Sequence, residues 1–203
     1  MPELPEVEMF RRYFDQTALE QKISDVQITH PKVVGGQELQ LISLVGDQFQ
    51  NSQRWGKNLF VETKGKRIVL MHFGMTGNLD YYSSSMETPK YARVIFEFDN
   101  GFNLAYVSKR MFGRIGLTSS VGAYVANKSI AVDAMEISKD EFIKVLASKK
   151  KNIKTALLDQ TVTAGVGNWI ADEILYQAKI YPTTPTQNLN EEQLSTIYHS
   201  MQD

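Results

Sequence analysis

Pro2-Glu3-Leu4-Pro5-Glu6-Val7-Glu8 opens the chain after Met1 and continues into Met9-Phe10-Arg11-Arg12-Tyr13-Phe14. Val7, Phe10, Phe14 and Ala18 fall at helical spacing, with Arg11, Arg12 and Asp15 on other faces, so residues 5–18 read as an amphipathic helix. Pro5 suits the start of that helix, and Glu6 and Glu8 complement its dipole. The same stretch has a chemical reading. With Met1 removed, Pro2 presents a secondary amine whose pKa lies near that of an α-amino group, about 7.7–8.0. Part of it is then unprotonated near neutral pH, as an amine must be to form a Schiff base. Glu3 follows as a neighbouring acid or base. With Met1 retained, the Pro2 nitrogen is an amide and attacks nothing. A helix start and a reactive terminus are compatible readings.

Beyond the helix the period changes to two. Ile23-Ser24-Asp25-Val26-Gln27-Ile28 alternates, as do parts of 58–63 and 93–98. Arg67–Phe73 is a more continuous apolar strand, and another strand is expected over Gly113–Thr118. Asp99-Asn100-Gly101 between two such runs signals a hairpin. From Ser138 the period is helical again, with candidates at 139–149, 152–159, 169–179 and 190–201. Asn168 reads as an N-cap, with Asp172 and Glu173 in the first turns. The fold class is α+β: residues 1–132 form a β-rich domain with a leading helix, and residues 133–203 a helical domain.

The chain has 203 residues and no cysteine, which excludes disulfides, cysteine-ligated zinc and thiol catalysis. His30, His72 and His199 are widely spaced and make a poor metal set. No apolar run approaches the ~18–20 residues that span a membrane, and no secretory signal is visible. Residues 1–132 carry 15 basic and 13 acidic groups (+2), and residues 133–203 carry 7 and 10 (−3), giving the net charge of −1. Neither part is a basic domain, so a nucleic-acid footprint must be a local stripe of lysines and arginines.

Four segments carry a resemblance. They are residues 1–8, His72-Phe73-Gly74-Met75-Thr76-Gly77, Arg110-Met111-Phe112-Gly113, and a fourth running from Lys154 through Gln160, Ala164-Gly165-Val166-Gly167-Asn168 and on to Leu175. In this order and at these separations the chain resembles the formamidopyrimidine-DNA glycosylase family of base-excision repair enzymes. The resemblance implies a two-layer β-sandwich followed by a helix–two-turn–helix domain, a monomer, and damaged double-stranded DNA as partner. Leu4 resembles the branch that acts on oxidised purines and ring-opened formamidopyrimidines. The implied location is the cytoplasm or nucleoid of a prokaryote, or a eukaryotic nucleus.

The resemblance also implies roles. Pro2 attacks C1′ of the damaged nucleotide and releases the base; β- and then δ-elimination cut the strand. Glu3 is the acid that helps open the sugar ring. Lys57 contacts the lesion-bearing strand and assists catalysis, although alone it reads as a solvated hairpin lysine. Met75, Arg110 and Phe112 fill the void left by the everted base: an apolar wedge, a planar guanidinium and a stacking ring. Met75 and Phe112 also read as core residues of two strands, but both lie beside glycines typical of turns. His72, Arg110, Lys154 and Asn168 are candidates for phosphate contacts. Gly165-Val166-Gly167-Asn168 precedes a helix, a ready anion site whose glycines allow close approach. Lys149-Lys150-Lys151 reads equally as a basic patch near DNA or as a solvated helix end.

Two features depart from the family pattern. Members usually end in a β-hairpin, most often a zinc finger with four cysteine ligands, that supplies an arginine. The 203 residues contain neither that element nor a cysteine, so no cofactor is expected and weaker phosphate grip is. Ser108 stands where the family usually has Asp, two residues before Arg110. Alternative readings are a damaged-DNA-binding module without catalysis, or a truncated inactive fragment of such an enzyme.

Overall fold

The first helix, α1 (Leu4–Thr17), has Pro5 in its opening turn, and the Glu6 carboxylate accepts the Glu3 backbone N–H at 2.9 Å. This computed structural model describes residues 2–203. The apolar face read from spacing is the buried one: Val7, Phe14 and Ala18 are fully covered. Phe14 meets Phe49 edge-on at 5.0 Å, and Phe10 meets Phe73 at 4.6 Å. On another face Arg11 bridges Glu8 at 2.8 Å and Asp15 at 2.6 Å.

Eight strands follow, with β1 at Ile23–Ile28, β2 at Phe49–Trp55, β3 at Asn58–Thr63 and β4 at Ile68–His72. Then come β5 at Gly77–Ser83, β6 at Ala92–Phe98, β7 at Phe102–Ser108 and β8 at Arg114–Thr118. They form two antiparallel four-stranded sheets, ordered β1-β6-β7-β5 and β2-β3-β4-β8. One core joins them. Val26, Phe96 and Leu104 from the first sheet share it with Leu59, Met71 and Ile115 from the second, and Val7 and Phe14 of α1 close onto it. The Asp99-Asn100-Gly101 turn joins β6 to β7, with Asn100 Oδ1 accepting the Phe102 N–H at 3.0 Å.

Two strands and two short helices are not apparent from periodicity. β2 is an edge strand whose middle, Gln50-Asn51-Ser52-Gln53, is polar because only Phe49 of the strand is buried. β5 starts on Gly77. The short helices are α2 (Glu38–Ile42), which buries only Leu41, and α3 (Val121–Asn127), which buries none. A 3-10 turn at Pro31–Val33 precedes α2.

The chain divides into two compact units, one ending at Tyr124 and the other spanning Val125–Asp203. The second unit holds α4 (Lys139–Ala147), α5 (Ile153–Leu158), α6 (Asn168–Gln177) and α7 (Glu191–Gln202). Ser138 caps α4, and Asn190 with Gln193 forms a capping box on α7. Phe142, Leu146, Leu157, Ile174 and Ile197 form its interior. Among the described residues no helix is long and apolar enough to cross a membrane.

Candidate nucleic-acid and catalytic site

The N-terminal chemistry gathers at the start of α1. Pro2 is half-buried and Glu3 is only 2% exposed. Met1, whose removal would free the Pro2 amine, lies outside the described residues. Lys57 comes from the two-residue β2–β3 turn Gly56-Lys57, where Trp55 pairs with Asn58 and Gly56 takes φ +58°. Burial pushes the Lys57 amine below its ordinary range, and the negative charge of Glu3 opposes that push. Lys57 and Glu3 are therefore electrostatic neighbours. Arg54 ties the turn to the helix: its Nη1 donates to the Gly56 carbonyl at 3.0 Å, and its Nε lies 3.6 Å from Glu8. Hydrogen bonding from Arg11 holds the Glu8 carboxyl at about 2.

Met75, Arg110 and Phe112 sit on two chain crossings between the sheets, β4 to β5 and β7 to β8. The crossings touch. Gly74 has φ +60°, and a β-carbon there would stand 2.5 Å from the Phe112 carbonyl carbon and the Gly113 nitrogen. A β-carbon on Gly113 would stand 1.9 Å from the Tyr106 hydroxyl, which itself donates to the His72 carbonyl at 2.7 Å. Only glycine at both places lets the loops close. Met75 is 43% exposed and Phe112 55% exposed, so neither is a core residue. Between Arg110 and Phe112, Met111 packs against the core at φ +54°, and the Arg110 guanidinium lies 4.9 Å from the centre of the Phe112 ring. Ser108 is buried. Its carbonyl accepts from Arg93 at 2.9 Å, and its hydroxyl has no partner.

His72 ends β4, paired with Asn58 on one side and Arg114 on the other. Its Nδ1 accepts the Gly74 N–H at 3.3 Å. Burial lowers its pKa, and the positive charges of Lys57 and Arg114 lower it further; all three favour the neutral imidazole. Arg114 is a residue that sequence reasoning missed; its place beside His72 depends on strand register.

In the helical unit, Lys154 on α5 pairs with Asp172 of α6 at 2.7 Å. Asn168 is exposed, but it is the first residue of α6 and not its cap; Gly167, at φ −115° and ψ −166°, holds the cap position. Asp172 and Glu173 accordingly fall beyond the first turn. The loop before α6 is braced by Gln160, which accepts the Gly165 N–H at 3.0 Å and donates to the Val166 carbonyl at 2.9 Å. Of the three lysines after α4, Lys151 is paired with Asp159 at 2.7 Å. Among the described residues no group of three or more His, Cys, Asp or Glu could hold a metal ion.

A leading helix on two facing sheets, followed by a helical unit with a glycine-rich loop ahead of α6, is the architecture of a β-sandwich protein with a helix–two-turn–helix domain. Residues 1–115 match the model of the formamidopyrimidine-DNA glycosylase N-terminal domain, and residues 130–203 match that of the formamidopyrimidine-DNA glycosylase H2TH domain. The chain belongs to the formamidopyrimidine-DNA glycosylase family. A formamidopyrimidine-DNA glycosylase of Ligilactobacillus salivarius is 36% identical over 203 residues, covering 97% of this chain and 73% of the relative. A protein of the same name from Arabidopsis thaliana is 35% identical over 222 residues, covering 100% of this chain and 57% of its own length. The crystal structure of a complex between Lactococcus lactis Fpg and abasic-site DNA superposes with a TM-score of 0.93 at 31% identity, over 98% of this chain and 76% of that one.

Proposed function

We propose that this chain is a base-excision repair glycosylase with apurinic/apyrimidinic lyase activity, acting on oxidised purines and formamidopyrimidines in duplex DNA. The observation that carries the mechanism is the burial of Glu3 directly after Pro2 at the start of α1, with its negative charge acting on the Lys57 amine of the β2–β3 turn. Once Met1 is removed, the Pro2 nitrogen attacks C1′. The C1′–N bond breaks, the base leaves with a proton, and Glu3 donates to the ring oxygen as the sugar opens. The resulting iminium acidifies the C2′ proton. Its loss expels the 3′ phosphate, and a second elimination expels the 5′ phosphate. Water then releases Pro2.

Eversion of the base costs a few kcal/mol. Met75 and Phe112, exposed on adjoining loops, fill the vacated space, and Arg110 meets the orphaned base with its fork of donors. His72, Lys57, Lys154 and Asn168 hold phosphates. Lys154 does so by exchanging or sharing its partner Asp172. No step is assigned to a cofactor. The chain works as a monomer in the compartment that holds the DNA, a nucleoid or a nucleus.

The test is incubation of Met1-processed protein with duplexes holding 8-oxoguanine or a formamidopyrimidine, scored for base release and strand cleavage. Release coupled to cleavage supports the proposal. Lesion-selective binding without either would establish the non-catalytic reading.

A further inference from the structure

Pairing across β3, β4 and β8 sets three polar side chains in a row. Asn58 faces His72, and His72 faces Arg114. Directly opposed residues project from the same face, with Cβ atoms about 4.5–5.5 Å apart. The adjacent residues Leu59, Met71 and Ile115 enter the buried core, so the row lies on the outer face of the sheet. Tyr124 bounds it, with its hydroxyl 3.4 Å from Asn58 Oδ1 and its ring edge-on to Phe60 at 5.6 Å. Lys57 immediately precedes Asn58.

The Gly74 N–H occupies His72 Nδ1, which leaves Nε2 to carry the ring proton and donate. Arg114 is exposed and takes part in none of the ion pairs found among the described residues. The left-handed backbone of Gly35 closes against it: a β-carbon there would stand 3.3 Å from Arg114 Nη1. The guanidinium thus has a wall beside it and no carboxylate in contact. An arginine fork next to an imidazole N–H is matched by a tetrahedral oxyanion.

We propose that Arg114, with His72 beside it, clamps one backbone phosphate of the bound DNA. The inference rests on the glycosylase reading above and adds to it a phosphate contact that none of the four sequence segments contains.

The experiment measures affinity for a duplex with a tetrahydrofuran abasic analogue over a range of KCl, for wild type, Arg114→Ala and Arg114→Lys. Arg114→Ala should weaken binding about ten-fold or more at low salt. It should also reduce the slope of log K against log salt by about 0.9. Arg114→Lys should keep the slope and recover part of the affinity. Replacing single phosphates near the lesion by neutral methylphosphonates should find one position that weakens wild type clearly more than it weakens Arg114→Ala. Wild-type affinity and slope in Arg114→Ala would overturn the clamp, and so would equal methylphosphonate penalties in both proteins. A lowered melting temperature accounting for the loss in Arg114→Ala would overturn it by assigning the residue to folding. If wild-type protein binds abasic and intact duplex equally, the glycosylase reading falls first and takes the clamp with it.

Discussion

Gly74 and Phe112 are in contact through their backbones: a β-carbon on Gly74 would stand 2.5 Å from the Phe112 carbonyl carbon. That contact joins the loop bearing Met75 to the loop bearing Arg110, so the three exposed side chains stand on adjoining loops. Because Gly74 also holds φ +60°, alanine there is strained twice.

Gly74→Ala should therefore lower stability by about 1–3 kcal/mol from backbone strain. It should also weaken binding to a lesion in duplex more than binding to the same lesion in single-stranded DNA. Thermal melts and paired binding titrations check both. An equal loss on the two substrates would mean that the loops do not act together in filling the helix.

Glu3→Gln should abolish release of an oxidised purine while leaving cleavage at a preformed abasic site partly intact. Ring opening needs the acid, whereas the abasic aldehyde is already electrophilic. Parallel assays on the two substrates decide it, and equal loss of both activities would reassign Glu3 to holding α1.

Much of this was legible in the chain. The apolar face of α1 follows from the spacing of Val7, Phe14 and Ala18, and strand β1 from the Val26-Gln27-Ile28 alternation, although its register shifts between Ile23 and Asp25. β2 was not legible, because an edge strand that buries only Phe49 has no apolar period to read. The cap of α6 was read one residue late, since Asn168 is a better cap type than Gly167 and backbone conformation decided otherwise. Pro2, Glu3 and Lys57 stood out as residues, but the burial of Glu3 against the pull toward solvent is a tertiary fact. Arg114 carries no local signal at all; register alone brings it to His72.

Acid should destabilise the β-sandwich unit through Asp47. Burial alone would raise its pKa, but hydrogen bonds from Thr63, Arg67 and the Gln48 and Gly65 N–H groups outweigh it and hold the carboxyl at about 2, against 3.8 ordinarily. The folded pKa is the lower one. Its stabilisation is therefore full above the unfolded value and is lost as pH falls from about 4 through about 2. Urea unfolding should show stability dropping across that window. Asp47→Asn should cost about 1–3 kcal/mol near neutrality and flatten the drop. Parallel pH curves for the two proteins would assign the acid sensitivity to other groups.

The central claim is that the N-terminal proline is the nucleophile, and borohydride trapping tests it most directly. Met1-processed protein mixed with an 8-oxoguanine duplex and sodium borohydride should give a covalent protein–DNA adduct. Proteolysis and mass spectrometry should place the reduced sugar on Pro2, with none on Lys57. Pro2→Gly should keep a trappable primary amine for abasic DNA and lose most base release. Attachment at Lys57, or full excision by protein whose Pro2 nitrogen remains acylated by Met1, would contradict the account.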